Sequence, residues 1–111
     1  MTEYEIARLV DGIGFPTAYH HFGEGQSPEP PFLVYIFPES RNASGDNRVY
    51  ARIQKLHLEL YTDRKDLASE RKVEKKLNDA GYFWNKTESW IESESLYEVL
   101  YEMEVLINEQ E

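Results

Sequence analysis

Residues 48–81 read RVYARIQKLHLELYTDRKDLASERKVEKKLNDAG, and a change of period inside this stretch decides the fold. Up to Thr62 the period is two. Gln54, Leu56, Leu58 and Leu60 fall on one face of an extended chain, and Lys55, His57, Glu59 and Tyr61 fall on the other. One apolar face and one wet face are the mark of a strand in an antiparallel sheet. Beyond Thr62 the period becomes helical. Thr62 or Asp63 stands where a cap is needed, Asp66 falls in the first turn, and Gly81 closes the helix. Val73, Leu77 and Ala80 make a narrow apolar stripe with Leu67 offset, so one side packs and the rest meets water. A two-faced strand leading into a one-faced helix is the kernel of an α+β domain.

The flanks extend this pattern. Towards the C-terminus, YFWNKTESWIES predicts a strand and turn or a strand pair. SLYEVLYEMEVLI then alternates: Tyr97, Val99, Tyr101, Met103 and Val105 share one face, while Glu98, Leu100, Glu102, Glu104 and Leu106 share the other. Towards the N-terminus, Ile6, Leu9, Val10 and Ile13 recur at helical spacing, with Thr2 as cap and Gly12 and Gly14 as terminators. Pro16 stops any helix, GEGQSPEPP is a loop by composition, and FLVYIF is a strand ended by Pro38. PESRNASGDN, rich in small and turn-forming residues, predicts a long mobile hairpin tip. The order is helix, strand, strand, helix, then one or two strands. It predicts one α+β domain over residues 1–111, an antiparallel sheet with helices packed on one face.

Composition narrows the function. Twelve basic against 21 acidic residues give a net charge of -9, which opposes clamping of phosphate backbones; no specific nucleic-acid binding is expected. With no cysteine, disulfides, thiolate chemistry and cysteine-ligated zinc are absent. No apolar run approaches the ~20 residues of a membrane span, and the N-terminus lacks the basic and apolar regions of a secretory leader.

The candidate sites are few. His20 and His21 are adjacent in AYHHF. In an extended chain such neighbours point to opposite faces; in a turn they could share an ion, but no third ligand is evident and His57 is not coupled to them by spacing. Neither metal nor cofactor is expected, and the pair reads as one ring that packs or hydrogen-bonds and one that is exposed. No serine sits on a glycine elbow, and Gly23–Gly25 lacks the lysine of a phosphate loop, so no catalytic residue is assigned. The glutamates of the last strand alternate along it rather than converging as calcium ligands do, so they read as a solvated acidic face. Leu100 and Leu106 on that face favour a partner surface. With Ser40, Arg41, Asn42, Asp46 and Asn47 at the hairpin tip, they form the expected interface.

PTAYHHF, PPFLVYIFPES, DNRVY, LELYTDRKDLASERKVEKKL, a tryptophan and ESLYEVLYEMEV follow one another in an order that resembles a family. It is the small tail-completion or tail-terminator (head-tail joining) proteins of long-tailed phages and prophages of Gram-positive bacteria. The resemblance covers about residues 13–107, ELYTDRKD being its most specific segment. It implies a tail-terminator-like α+β fold and a ring, commonly a hexamer, at the head-proximal end of the tail tube. The ring would join the tube protein to the head connector. The location implied is the virion tail, and the host cytoplasm during assembly. It implies no enzyme activity, and AYHHF becomes the segment before the first strand. Self-association is expected to be weak and favoured by salt. The alternative is a monomeric prophage-encoded binding or regulatory domain acting on a host protein; oligomeric state separates the two.

Overall fold

In the computed structural model the backbone is described for residues 2–45 and 48–108, and side chains for those of them outside 40–52 and 108. The elements in chain order are α1 (Glu3–Asp11), β1 (Thr17–Tyr19), β2 (Phe32–Ile36), β3 (Ser40–Gly45), β4 (Arg48–Thr62), α2 (Leu67–Asp79), β5 (Trp84–Ile91) and β6 (Leu96–Asn108). A single turn of 3₁₀ helix, Glu92–Glu94, links β5 to β6. The α+β class and the antiparallel core of the sheet are as the sequence predicts. The YFWNKTESWIES segment resolves to a strand and turn.

β4 is the spine. β6 runs antiparallel along one edge, from Ala51↔Asn108 to Thr62↔Tyr97, and β5 adds outside β6. The other edge is shared. β2 takes its second half (Ile36↔His57 to Phe32↔Tyr61) and β3 its first half (Ser40↔Gln54 to Gly45↔Arg48). Pro38, which has no N–H to give, lies between them, and the Lys55 amide donates to the Glu39 carbonyl at 2.9 Å.

Two expectations are corrected. The tip predicted over PESRNASGDN is mostly strand β3. Its turn-prone residues pair because the first half of β4 would otherwise leave an edge of unsatisfied backbone groups. Thr17–Tyr19, which runs into AYHHF, is itself a strand, parallel to β2, so the sheet is mixed.

The period-two pattern becomes the core. Leu56, Leu58 and Leu60 of β4 are fully buried. With Val99, Tyr101, Met103, Val105 and Ile107 of β6 they face Ile6 and Val10 of α1 and Val73 and Leu77 of α2. Both helices therefore cover the same side. α1 begins with a capping box: the Thr2 hydroxyl accepts from the Glu5 amide at 3.1 Å, and the Glu5 carboxylate accepts from the Thr2 amide at 2.8 Å.

α2 starts later than the sequence suggests. Thr62 is still strand and its hydroxyl donates to the Arg64 carbonyl at 2.6 Å; the cap is Asp66, whose carboxylate accepts from the Ser69 amide at 3.0 Å. The helix ends in a Schellman motif. The Tyr82 amide donates to the Leu77 carbonyl at 3.1 Å and the Gly81 amide to the Asn78 carbonyl at 3.0 Å, with Gly81 at φ +83. Only a residue without Cβ adopts that φ at little cost.

The register of α2 turns Ser69, Glu70, Val73 and Leu77 inward and leaves Leu67 half exposed. Glu70 is 1% exposed, and two lysines face its carboxyl group. Its Oε1 accepts from Lys86 Nζ at 2.9 Å, and Lys65 Nζ lies 2.8 Å from Oε2. Lys86 also reaches Glu74 Oε2 at 2.7 Å, and the buried Tyr101 hydroxyl donates to the same oxygen at 2.9 Å.

Two substitutions test this account. Asp66→Ala should cost about 1 kcal/mol. The folded state holds the Asp66 carboxyl below its ordinary range, through the Ser69 amide first, so this contribution is present at neutral pH and is lost as pH falls through the folded value. Leu77→Ala should cost about 2–5 kcal/mol at every pH. Urea midpoints from pH 2 to 7, at unchanged slope, read both.

Candidate interaction surface

The face of the sheet opposite the helices is uncovered over β4, β6 and β5, and it carries the acidic residues. Cross-strand register sets Lys55 against Glu104, His57 against Glu102, Glu59 against Leu100 and Tyr61 against Glu98. His57 Nε2 lies 3.2 Å from Glu102 Oε2, and Lys55 Nζ lies 3.6 Å from Glu39 Oε1. Adjacent carboxylates along β6 are kept two residues apart by the strand repeat, so they present a charged surface rather than a chelate.

The densest point is Tyr61. Its hydroxyl is 2.8 Å from Glu59 Oε1 and 2.8 Å from Glu98 Oε2. A phenol has one proton to donate. Two carboxyl groups are therefore held at hydrogen-bond distance from one hydroxyl that has a single proton to give. Burial raises the Glu59 carboxyl above its ordinary range, the Tyr61 hydrogen bond opposes this, and the charge of Glu98 adds to it. The Tyr61 hydroxyl is itself pushed up, first by burial and then by its two acceptors.

An aromatic stack leads away from Tyr61. Phe32 stacks on it with ring centroids 5.1 Å apart, and Phe22 meets Phe32 edge-on at 5.4 Å. The loop after β1 covers this end of the sheet, burying Phe32 and Val34. Between loop and sheet lies an open cleft of about 440 Å³ lined by His20, Phe22, Phe32, Glu59, Tyr61 and Glu94 among others.

The histidines do not divide into one packed and one exposed ring: both are exposed, and the segment takes the turn rather than the extended form. His20 has φ +69, and the His21 amide donates to the Tyr19 carbonyl at 2.8 Å, which makes a γ-turn centred on His20. The chain is not extended there, and the two rings converge, with Nδ1 to Nδ1 at 2.8 Å. One shared proton satisfies that contact. Among the described residues no group of three or more His, Asp or Glu is placed to hold a metal ion.

The expected interface residues do not form one patch. Leu106 is 51% exposed and lies in register with Ile53, which pairs in turn with Arg41 of β3. Leu100 is half-buried, six residues back along β6, or about 20 Å at ~3.3 Å per residue. Ser40, Arg41 and Asn42 belong to β3, and their side chains lie outside the described set; Asp46 and Asn47 lie outside the described residues. Sequence reasoning missed the Glu59–Tyr61–Glu98 triad. The spacing of Glu59 and Tyr61 was a signal for half of it, since positions i and i+2 share a face. Phe83, 95% exposed just before β5, was also missed.

No protein-family model and no curated protein matches this chain. A solved structure does: a chain from the virion of a native gene transfer agent particle, at a TM-score of 0.62 and 12% identity, covering 96% of this chain and 91% of that one. The likeness shows a shared fold over nearly the whole length of both.

The triad can be read by titration. In carboxyl-resolved NMR, Glu59 should titrate above the ordinary carboxylate range, higher still in Tyr61→Phe, and lower in Glu98→Gln. Because the folded state binds the Glu59 proton more tightly than the unfolded state, its charge is a cost above the folded value. Glu59→Gln should therefore be more stable than wild type at neutral pH, and the gain should vanish as pH falls towards the unfolded value.

Proposed function

We propose that this protein is a structural component of a phage-type virion: a tail terminator or tail-completion subunit that forms a ring at the head-proximal end of the tail tube. The observation that carries this reading is the full-length fold likeness to a gene transfer agent virion chain. The family resemblance of its segments points the same way.

The physical features agree. The uncovered sheet face bears Glu59, Glu98, Glu102 and Glu104. Turned towards a passage for DNA, such a surface repels the duplex and keeps it from sticking. The protein acts by surface and assembly rather than by catalysis, with the tube protein on one side and the head connector on the other. Among the described residues no helix is long and apolar enough to cross a membrane.

Light scattering and negative-stain imaging across concentration and salt test the reading. Small rings should form, and more readily in 1 M salt than in 0.1 M. Screening shortens from roughly 10 Å to 3 Å over that range and relieves the mutual repulsion of subunits of net charge -9. A strict monomer under every condition, including with a tail-tube partner present, would overturn the ring and favour the regulatory-domain reading. Duplex DNA should not be retained at moderate salt; a salt-dependent gel shift would contradict the repelling passage.

A further inference from the structure

The strand path of the sheet runs from the three-residue β1 to β5, and β3, off that path, has β4 as its sheet partner among the described residues. An open edge offers a row of backbone N–H and C=O groups to any extended chain. Soluble proteins guard such edges with proline, bulges, very short strands or standing charge.

β5 has none of these guards. It is eight residues long, contains no proline, and keeps an unbroken register with β6. Its charges are committed elsewhere. Lys86 is held by Glu70 and Glu74, and Glu88 by Lys65 and by the Tyr97 hydroxyl at 2.8 Å. Exposed rings stand near both ends, Phe83 at 95% and Trp90 at 48% exposure. Beside its first residues lies an open groove of about 610 Å³, lined by Tyr82, Phe83, Asn85, Glu102 and Met103 among others.

We propose that β5 receives the outer edge of β3 from a second copy, so that the sheet continues from one protomer into the next. This rests on the ring reading above. Strand polarity supports it. β3 and β6 run antiparallel to β4, and β5 runs antiparallel to β6. Two copies related by a rotation about an axis along the strands therefore present β5 and β3 to each other antiparallel, with all helices on the same side. The contact is heterologous: a growing assembly keeps one free β5 edge and one free β3 edge, and addition continues until the rotation closes.

Register sets the inclination. The centre of β5 faces Val99 and Leu100, which face Leu60 and Glu59, whereas the centre of β3 faces Ala51 and Arg52. Neighbouring copies are thus offset by about eight residues, roughly 26 Å at ~3.3 Å per residue. The strands must incline to the ring axis, as they do in closed barrels.

The chain has no cysteine, so introduced pairs report without background. Paired strands bring opposed Cα atoms to about 4.5–5.5 Å, within disulfide reach. Ala43→Cys is combined with Thr87→Cys, and with Asn85→Cys or Ser89→Cys to cover the register, then oxidised and run on a denaturing gel. One double variant should give a ladder of covalent multimers. An equal mixture of the two single variants should stop at dimers, and each single variant alone should stay monomeric. Cross-linking of Thr87→Cys with itself would show β5 meeting its own copy and would overturn the pairing. Assembly in light scattering without a cross-link at 85, 87 or 89 would overturn the pairing while leaving the ring. A wild-type protein that never assembles overturns both.

Discussion

β4 is too long for its neighbours. Fifteen residues at ~3.3 Å span about 50 Å, and the molecule measures 51 × 29 × 22 Å. The strand therefore sets the length of the protein, and its backbone groups must be satisfied along the whole of it. On one edge the thirteen residues of β6 nearly suffice. On the other, β2 supplies five residues, and a second strand has to be made from whatever sequence is at hand. This is why a segment with the composition of a turn becomes β3. It is also why the radius of gyration, 15.1 Å, exceeds the ~13 Å of a compact domain of this size.

The second constraint is the carboxylate of Glu70. Taking it out of water is costly, and the cost is offset only if its partners are well placed. Here the burden is uneven. The carboxylate is almost fully buried, but the Lys65 and Lys86 side chains remain 40% and 31% exposed, so the ammonium heads keep part of their hydration. The pair of lysines joins three elements: the turn before α2, α2 itself and β5. Tyr101 completes the link from β6 through Glu74. Hydrophobic burial is non-directional, whereas these contacts tie Glu70 and Glu74 of α2 to β5 and β6 at named atoms. They have a consequence for the surface, because the two charges of β5 that could guard its edge are drawn onto the helix side.

How much of this was legible follows from which interactions are local. The faces of β4 and β6 could be read residue by residue, because alternation is written in the chain itself, and the α1 cap could be read from Thr2. The start of α2 could not: Thr62 and Asp63 are plausible caps, and only the extension of β4 to Thr62 leaves Asp66 to act. β3 has no alternating pattern, since its pairing is imposed by β4. The convergence of the two histidine rings is not legible in the sequence, because it depends on a left-handed φ at His20 that no spacing announces. The place of Glu98 beside Tyr61 depends on register between strands 37 positions apart in sequence. Leu100 and Leu106 were correctly placed on one face, but separation along the strand divides them.

The acidic balance then sets the problem that any assembly of this chain must solve. Hydrophobic association between copies would have to bury faces that carry like charge, and the apolar residues on the open face are too dispersed to outweigh it. Strand addition at an edge avoids the conflict. Its hydrogen bonds run in the plane of the sheet, and side chains project above and below that plane. The acidic face can therefore remain solvated while the backbone edges join. Repulsion between neighbouring acidic faces remains, but it acts across water and is screened by salt, whereas the backbone hydrogen bonds carry no net charge to screen. A surface that repels DNA and an edge that joins subunits are thus compatible in one sheet because they use perpendicular directions.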